Sequence, residues 1–227
     1  MGNSYFQTYY SWPGLREHLP DLDGAEVLLA GCGRGDHVEF YSDHGATVTG
    51  VDVSEEAIAQ ARDHHPNYQF EVANVPDGLP FDDEVFDVAV VNLVLSHIAE
   101  WRPVLDSFRR VLHRDGAFVV ATIHPAYQRQ HWDLDQYAER VEVVVDWGAT
   151  ELPSYYRPMS EIIRSFLDTE FTLVEIAEPM PKGSKCDPLS PENIPKSHIG
   201  LGPTIFPSSR FVAECRKESQ YVVSIRF

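Results

Sequence analysis

Cysteine is scarce in this chain, and Cys32, Cys186 and Cys215 stand apart with no CxxC pair among them. Three scattered thiols build neither a disulfide framework nor a zinc cluster, so a reducing compartment and no metal centre are expected. Lysine is nearly as rare, found only at Lys182, Lys185, Lys196 and Lys217. With 18 basic against 35 acidic side chains the formal charge is -17, so a basic face that neutralises a run of phosphates is not expected. Nucleic acid and anionic membrane are therefore not expected partners. Long hydrophobic runs are missing too: no stretch approaches the roughly 18 apolar residues of a membrane span. The opening MGNSYFQTYYSWPG lacks the basic and apolar regions of a secretory leader, and Phe6 stands where a myristoylation signal needs Ser or Thr. A cytoplasmic protein is the expectation.

What is present is an ordinary globular mixture, 43% hydrophobic and 23% charged over 227 residues, enough to close one core. We expect a single domain over residues 1–227, with residues 1–25 as an N-terminal cap segment. The acidic, lysine-poor surface suits a salt-rich cell, where cations screen self-repulsion. An ordinary acidic enzyme fits the same composition, and a melting curve in molar salt separates the two.

Apolar runs alternate with helical patterns along the first half. Glu26 to Ala30 (EVLLA) is continuous and short, as in a strand buried on both faces, and it runs into Gly31-Cys32-Gly33-Arg34-Gly35. Helical spacing follows from Val38 and stops at Gly45. Thr47 to Val53 reads as a second strand, and Ser54 as the N-cap of a helix reaching His64, with Glu55 and Glu56 in its positive first turn. Further strands are expected at Tyr68 to Val72, Phe86 to Asn92 and Gly116 to Ile123, with a helix at Trp101 to Leu112. This rhythm predicts an α/β fold, a doubly wound and mostly parallel sheet of Rossmann-like kind. After the fifth strand, residues 126–158 are aromatic-rich and read as an inserted lid with one strand-like run, Val141 to Val145. A helix at Ser160 to Leu167, a strand at Phe171 to Ala177, a long loop over residues 179–207 and a strand at Arg210 to Arg216 complete the pattern. Tyr221 to Phe227 alternates like an edge strand.

A glycine turn between strand and helix lets a ligand approach the backbone, where the helix start offers free N–H groups. Asp52 ends the second strand 21 residues after Gly31, where an acid in such folds accepts hydrogen bonds from ribose hydroxyls. Together they indicate a nucleoside. The dinucleotide fingerprint wants a small residue where this chain has Asp36, whose carboxylate repels a pyrophosphate but tolerates a cationic sulfonium and amino group. S-adenosylmethionine is favoured over NAD on that argument.

The segments VLLAGCGRG (Val27 to Gly35), GATVTGVDVS (Gly45 to Ser54), LPFDDEVFD (Leu79 to Asp87) and VLHRDG (Val111 to Gly116) resemble the class I S-adenosylmethionine-dependent methyltransferases. NLVLSHI (Asn92 to Ile98), TIHP (Thr122 to Pro125) and YYRPMS (Tyr155 to Ser160) are similar to the small-molecule branch of that family. The resemblance implies Gly31, Gly33 and Gly35 against the methionine and ribose, and Asp52 on the ribose hydroxyls. It further implies Val53, Asn74 and Val75 around the adenine, and Asn92 and Leu93 beneath the donor. Two positions depart from the family: Leu29 replaces an acid two residues before Gly31, and Asn74 replaces an aspartate, although its carbonyl can still accept from the adenine amino group.

Methyl transfer asks the protein mainly to align donor and acceptor, with a general base only for a protonated acceptor. His97 and His124, after the fourth and fifth strands, are the candidate bases; the structural alternative for each is a loop cap. Tyr9 is the expected N-terminal contact to the cofactor, and Trp132, Tyr155 and Tyr156 are expected in the wall of an acceptor pocket, with docking or packing as their alternatives. His64 and His65 are adjacent on a helix and face different ways, so no metal site is expected there. The activity implied is methyl transfer to an O, N or C atom of a small molecule, yielding S-adenosylhomocysteine. A noncatalytic nucleoside-binding domain and a methyltransferase acting on protein or RNA stand as alternatives.

Overall fold

The computed structural model of the protein describes residues 11–135, 137–146, 151–178 and 222–226. Helix α1 (Trp12–Glu17) precedes β1 (Glu26–Ala30), α2 (Val38–Asp43), β2 (Thr47–Asp52), α3 (Glu55–His64), β3 (Gln69–Val72), β4 (Phe86–Asn92), α4 (Trp101–Val111) and β5 (Leu112–Ile123). After them come α5 (Pro125–His131), the antiparallel pair β6 (Val141–Asp146) and β7 (Glu151–Tyr156), α6 (Met159–Leu167), β8 (Glu175–Ala177) and β9 (Val222–Arg226). The main sheet has the order β3-β2-β1-β4-β5-β9-β8, with β1 to β5 parallel and β9 antiparallel to both its neighbours.

The continuous apolar runs become strands because both faces of the sheet are covered. Val27 and Leu29 of β1, Val88 and Val90 of β4, and Val119 and Ala121 of β5 pack with Val38, Tyr41 and Ile58 from α2 and α3. Their neighbours Leu28, Ala30, Ala89, Val91, Phe118 and Val120 pack on the other face with Val104, Leu105 and Phe108 of α4 and Phe166 of α6. Each buried Val, Leu or Phe contributes about 1.5–3 kcal/mol of transfer free energy, and the period of two divides that gain between the faces. Ser54 caps α3 as expected, its Oγ accepting from Ala57 N at 3.2 Å. Gly45 ends α2 with φ +89°, a left-handed turn that glycine adopts without strain.

Several boundaries differ from the sequence reading. Strand β5 begins at Leu112 rather than Gly116, because a bulge between the Phe86 and Val88 registers absorbs residues 113–116. Strand β8 is confined to Glu175–Ala177, since Phe171 instead buries itself against Phe118 and Phe166. The tail strand β9 lies between β5 and β8, not at the edge of the sheet. Strand β7 has no counterpart in the sequence reading; it contains Pro153, which a two-stranded ribbon tolerates because its outer side makes no ladder bonds. The expected loop over residues 179–207 and strand at Arg210 to Arg216 lie outside the described residues. Among the described residues no helix is long and apolar enough to cross a membrane.

The strand order reverses between β1 and β4, whose chains continue to opposite sides of the sheet. The carboxyl ends of these two strands therefore open a crevice, the place where doubly wound sheets bind ligands.

Candidate functional site

The glycine turn leaves β1 directly at this crevice. Gly31, Gly33 and Gly35 have φ of +75°, +55° and +80°, a region that costs other residues about 1–2 kcal/mol each. Gly31 is also required by packing, because a Cβ there would lie 2.2 Å from Val94 Cγ2. At Gly33 a Cβ would meet nothing within 4 Å among the described residues, so this part of the turn leaves room for a ligand. Gly31 N and Cys32 N both donate to Val51 O, and Gly33 N donates to Asp52 Oδ2 at 2.8 Å. Asp52 Oδ1 accepts from Ser54 N at 2.9 Å. A carboxylate offers about four lone-pair sites, so two remain for a ligand. Leu29, where the resemblance implies an acid, is buried among the side chains under α2 and α3, and the turn is braced by Asp52 and Val51. Burial pushes the Cys32 thiol up to about 12, so it remains protonated and inert. Asp36 pairs with Arg34 at 3.6 Å on the surface, which partly offsets its charge.

Beside the turn, Val53 is 65% exposed, an apolar face at the carboxyl edge of β2. Asn74 follows β3 and is exposed, while Val75 is buried beneath it, leaving only its backbone for a ligand. Across the crevice, Asn92 Oδ1 at the end of β4 is buried and has no hydrogen-bond partner among the described residues. Leu93 next to it has φ +60°, a strained conformation for a branched side chain, and such strain gathers at functional sites. Tyr9 lies outside the described residues. Its neighbour in the cap segment, Trp12, docks on the domain by stacking on His37 at 3.9 Å and meeting Phe40 edge-on.

The two candidate histidines differ in kind. His97 sits in a 3-10 turn, Leu95–His97, and its Nδ1 lies 2.9 Å from Pro153 O and 3.1 Å from Ser154 Oγ in β7. Since a carbonyl only accepts, Nδ1 carries the proton and the neutral ring keeps its lone pair on Nε2. Burial lowers its pKa, against a smaller opposing effect of the Pro153 bond, so the ring is neutral at pH 7. His124 caps α5: Nδ1 accepts from Ala126 N at 3.1 Å, and Nε2 lies 2.8 Å from the Glu178 carboxylate. Its neutral lone pair is thus already engaged by backbone.

The hairpin β6–β7 is tied to the His97 turn by residues that the sequence reading did not single out. Arg157 is 2% exposed, donates from Nη2 to Ile98 O at 2.7 Å, and lies 4.5 Å over the Trp101 ring. Arg140 donates to Ala99 O and pairs with Glu100. Burial lowers the Arg157 pKa to about 10, which still leaves it charged. Of the expected pocket aromatics, Tyr156 is fully buried and donates its hydroxyl to Tyr137 O at 2.8 Å, so it packs the hairpin rather than lining a pocket. Tyr155, on the other face of the strand, is half-buried under the Arg157 guanidinium at 5.5 Å. Trp132 is half-buried just past α5. A charged surface depression lined by Asp83, Glu84, Asp106, Arg109, Arg110 and Glu170 lies at the amino ends of β4 and β5, away from this crevice.

An open glycine cradle, a carboxylate with spare acceptor sites, an exposed valine and an unpartnered buried carbonyl fit a nucleoside with a cationic amino-acid tail. Known proteins agree. Residues 28–120 match the family described as a methyltransferase domain. The chain is 33% identical over 123 residues to a malonyl-[acyl-carrier protein] O-methyltransferase of Salmonella typhimurium, covering 51% of this chain and 49% of that one. It is 29% identical to a ubiquinone biosynthesis O-methyltransferase of Glaesserella parasuis, covering 71% of each. Among solved structures, an S-adenosylmethionine-dependent methyltransferase of Mesorhizobium loti superposes with TM-score 0.67 at 22% identity, over 96% of this chain and 97% of that one.

Proposed function

We propose, from the premise that the chain is a class I S-adenosylmethionine-dependent methyltransferase, that it methylates a small molecule, with a hydroxyl oxygen as the first acceptor to test. The observation that carries this reading is the His97 turn, held by Pro153, Ser154 and Arg157 beside the strained end of β4. In this reading the His97 imidazole is the base beside the donor crevice, and the hairpin bonded to it covers the acceptor side. The charge of -17 weighs against RNA. Two relatives named as O-methyltransferases support oxygen as the acceptor atom.

In this reading the whole chain acts as one domain, with residues 126–158 as its lid. Gly31, Gly33 and Gly35 let the backbone approach the methionine and ribose, and Asp52 accepts from the ribose hydroxyls. Val53, Asn74 and the backbone of Val75 flank the adenine, while Asn92 and Leu93 support the reacting end. The cofactor supplies an electrophilic methyl on sulfur, which leaves as a neutral thioether. His97 Nε2 takes the proton of the acceptor hydroxyl as its oxygen bonds the methyl, and Pro153 O stabilises the imidazolium through Nδ1–H. Tyr155 and Trp132 exclude water from the acceptor side. His124 keeps α5 in place and takes no proton.

The test is incubation of the protein with methyl-labelled cofactor and a cell extract, followed by separation by size. Label in the small-molecule fraction, lost in Asp52→Ala, is expected. Label in protein or RNA would overturn the acceptor class.

A further inference from the structure

We propose that Asp77 sets the base specificity of the cofactor site by fixing which end of the Asn74 side chain meets the ligand. The inference rests on the placement of Asn74 beside the adenine. Strand β3 pairs Val72 with Asp52, and Ala73 N donates to Asp52 O at 2.9 Å, so Asn74 emerges on the same edge as the ribose-binding carboxylate. Asn74 Nδ2 donates to Asp77 Oδ2 at 2.9 Å. An ionised carboxylate only accepts, so the amide cannot turn over without placing oxygen against oxygen. The nitrogen is committed to Asp77, and Oδ1 is the end left for a ligand.

Asn74 therefore presents an acceptor alone, as an aspartate would, although an isolated asparagine offers donor and acceptor equally. The exocyclic amino group of adenine is a donor and matches it. A base with a carbonyl at that position, such as hypoxanthine, would set two acceptors face to face. The backbone keeps Asp77 in register: Asp77 N donates to Asn74 O at 2.8 Å, and Gly78 N to Val75 O at 3.1 Å, across a 3-10 turn stiffened by Pro76. Both side chains are exposed, so their substitution leaves the core untouched.

The experiment is calorimetric titration of the wild type, Asp77→Asn, Asp77→Ala and the exchanged pair Asn74→Asp/Asp77→Asn with S-adenosylhomocysteine and S-inosylhomocysteine. The wild type should prefer the adenine compound by about tenfold or more, since the mismatch leaves acceptors unpaired. The exchanged pair Asn74→Asp/Asp77→Asn, in which the amide at 77 donates to the carboxylate at 74, should keep that preference. Asp77→Asn and Asp77→Ala free the amide to turn and donate, and the preference should fall to about threefold or less, mainly through tighter binding of the inosine compound. Wild-type ratios in both single Asp77 variants, or loss of preference in the exchanged pair, would overturn the proposal while leaving the cofactor site standing. A folded wild type that binds neither compound would overturn both.

Discussion

Asp52 braces the glycine turn through its own hydrogen bonds, and a merely structural role has to be separated from ribose binding. Replacing it with alanine removes the acceptor of Gly33 N at 2.8 Å and of Ser54 N at 2.9 Å. Each lost bond is worth about 1 kcal/mol at this partly exposed site, so stability should fall by about 1–2 kcal/mol. If the two spare lone-pair sites also hold the ribose hydroxyls, binding loses a further charge-assisted bond of about 1.5–3 kcal/mol. The dissociation constant for S-adenosylhomocysteine should then rise by about tenfold to more than a hundredfold. Asp52→Asn preserves the shape but offers one acceptor atom, and it should weaken binding comparably with less loss of stability. Calorimetric titration at a temperature where each variant is fully folded, alongside urea denaturation, reads the two quantities separately. Reduced stability with affinity within about twofold of wild type would refute the ribose assignment and leave Asp52 as a turn brace.

The glycines should separate in the same way: Gly31→Ala meets Val94 and should destabilise by about 2–4 kcal/mol in denaturation, whereas Gly33→Ala should cost about 1 kcal/mol yet weaken cofactor binding at least about tenfold. Once labelling has identified an acceptor, His97→Gln should slow turnover by about a hundredfold and flatten the acidic limb of the pH profile. His124→Ala should leave that profile unchanged and lower stability by about 1 kcal/mol, the worth of a helix cap. Arg157→Met should destabilise by about 2–4 kcal/mol, because it strips the Ile98 carbonyl of its donor and exposes the packing around Trp101. His97 and His37 both have pKa values lowered from 6.5, chiefly by burial. The unfolded chain therefore binds more protons as pH falls through 6.5, and stability is full above that value and declines below it. Urea midpoints should drop between about pH 7 and pH 5, by less in His97→Gln, and a flat profile would show that neither ring is buried neutral.

The half of the site that was legible in the sequence is the half built from local rules. Strands buried on both faces read as unbroken apolar runs, and a glycine turn with an acid at the end of the next strand follows from the geometry of one βαβ unit. The side proposed for the acceptor obeys no such rule. The orientation of His97 is set by a carbonyl 56 residues later in the chain, on a strand hidden by its proline. Arg157 stood inside a recognised motif, but only folding turns it back onto Ile98 and Trp101. Tyr155 and Tyr156 were expected to line one pocket together, yet neighbours on a strand face opposite ways, so one of the pair had to enter the hairpin's interior.

The same contrast explains where variation can enter the molecule. The half proposed for the cofactor is fixed by backbone: three positive-φ glycines, a bond from Gly33 N to Asp52, and a Val94 methyl filling the space a Cβ on Gly31 would need. Few side chains can change there without moving the sheet. The half proposed for the acceptor hangs on side-chain bonds from the hairpin to the His97 turn, through Pro153, Ser154, Arg157 and Arg140. Tyr155 makes none of these hydrogen bonds and only packs under Arg157, so in the proposed reading exchanging it should alter which acceptor is methylated while leaving the affinity for S-adenosylhomocysteine within about twofold. If Tyr155→Ala instead weakened cofactor binding as strongly as Asp52→Ala, the hairpin would belong to the donor site and the division drawn between the two halves would be wrong.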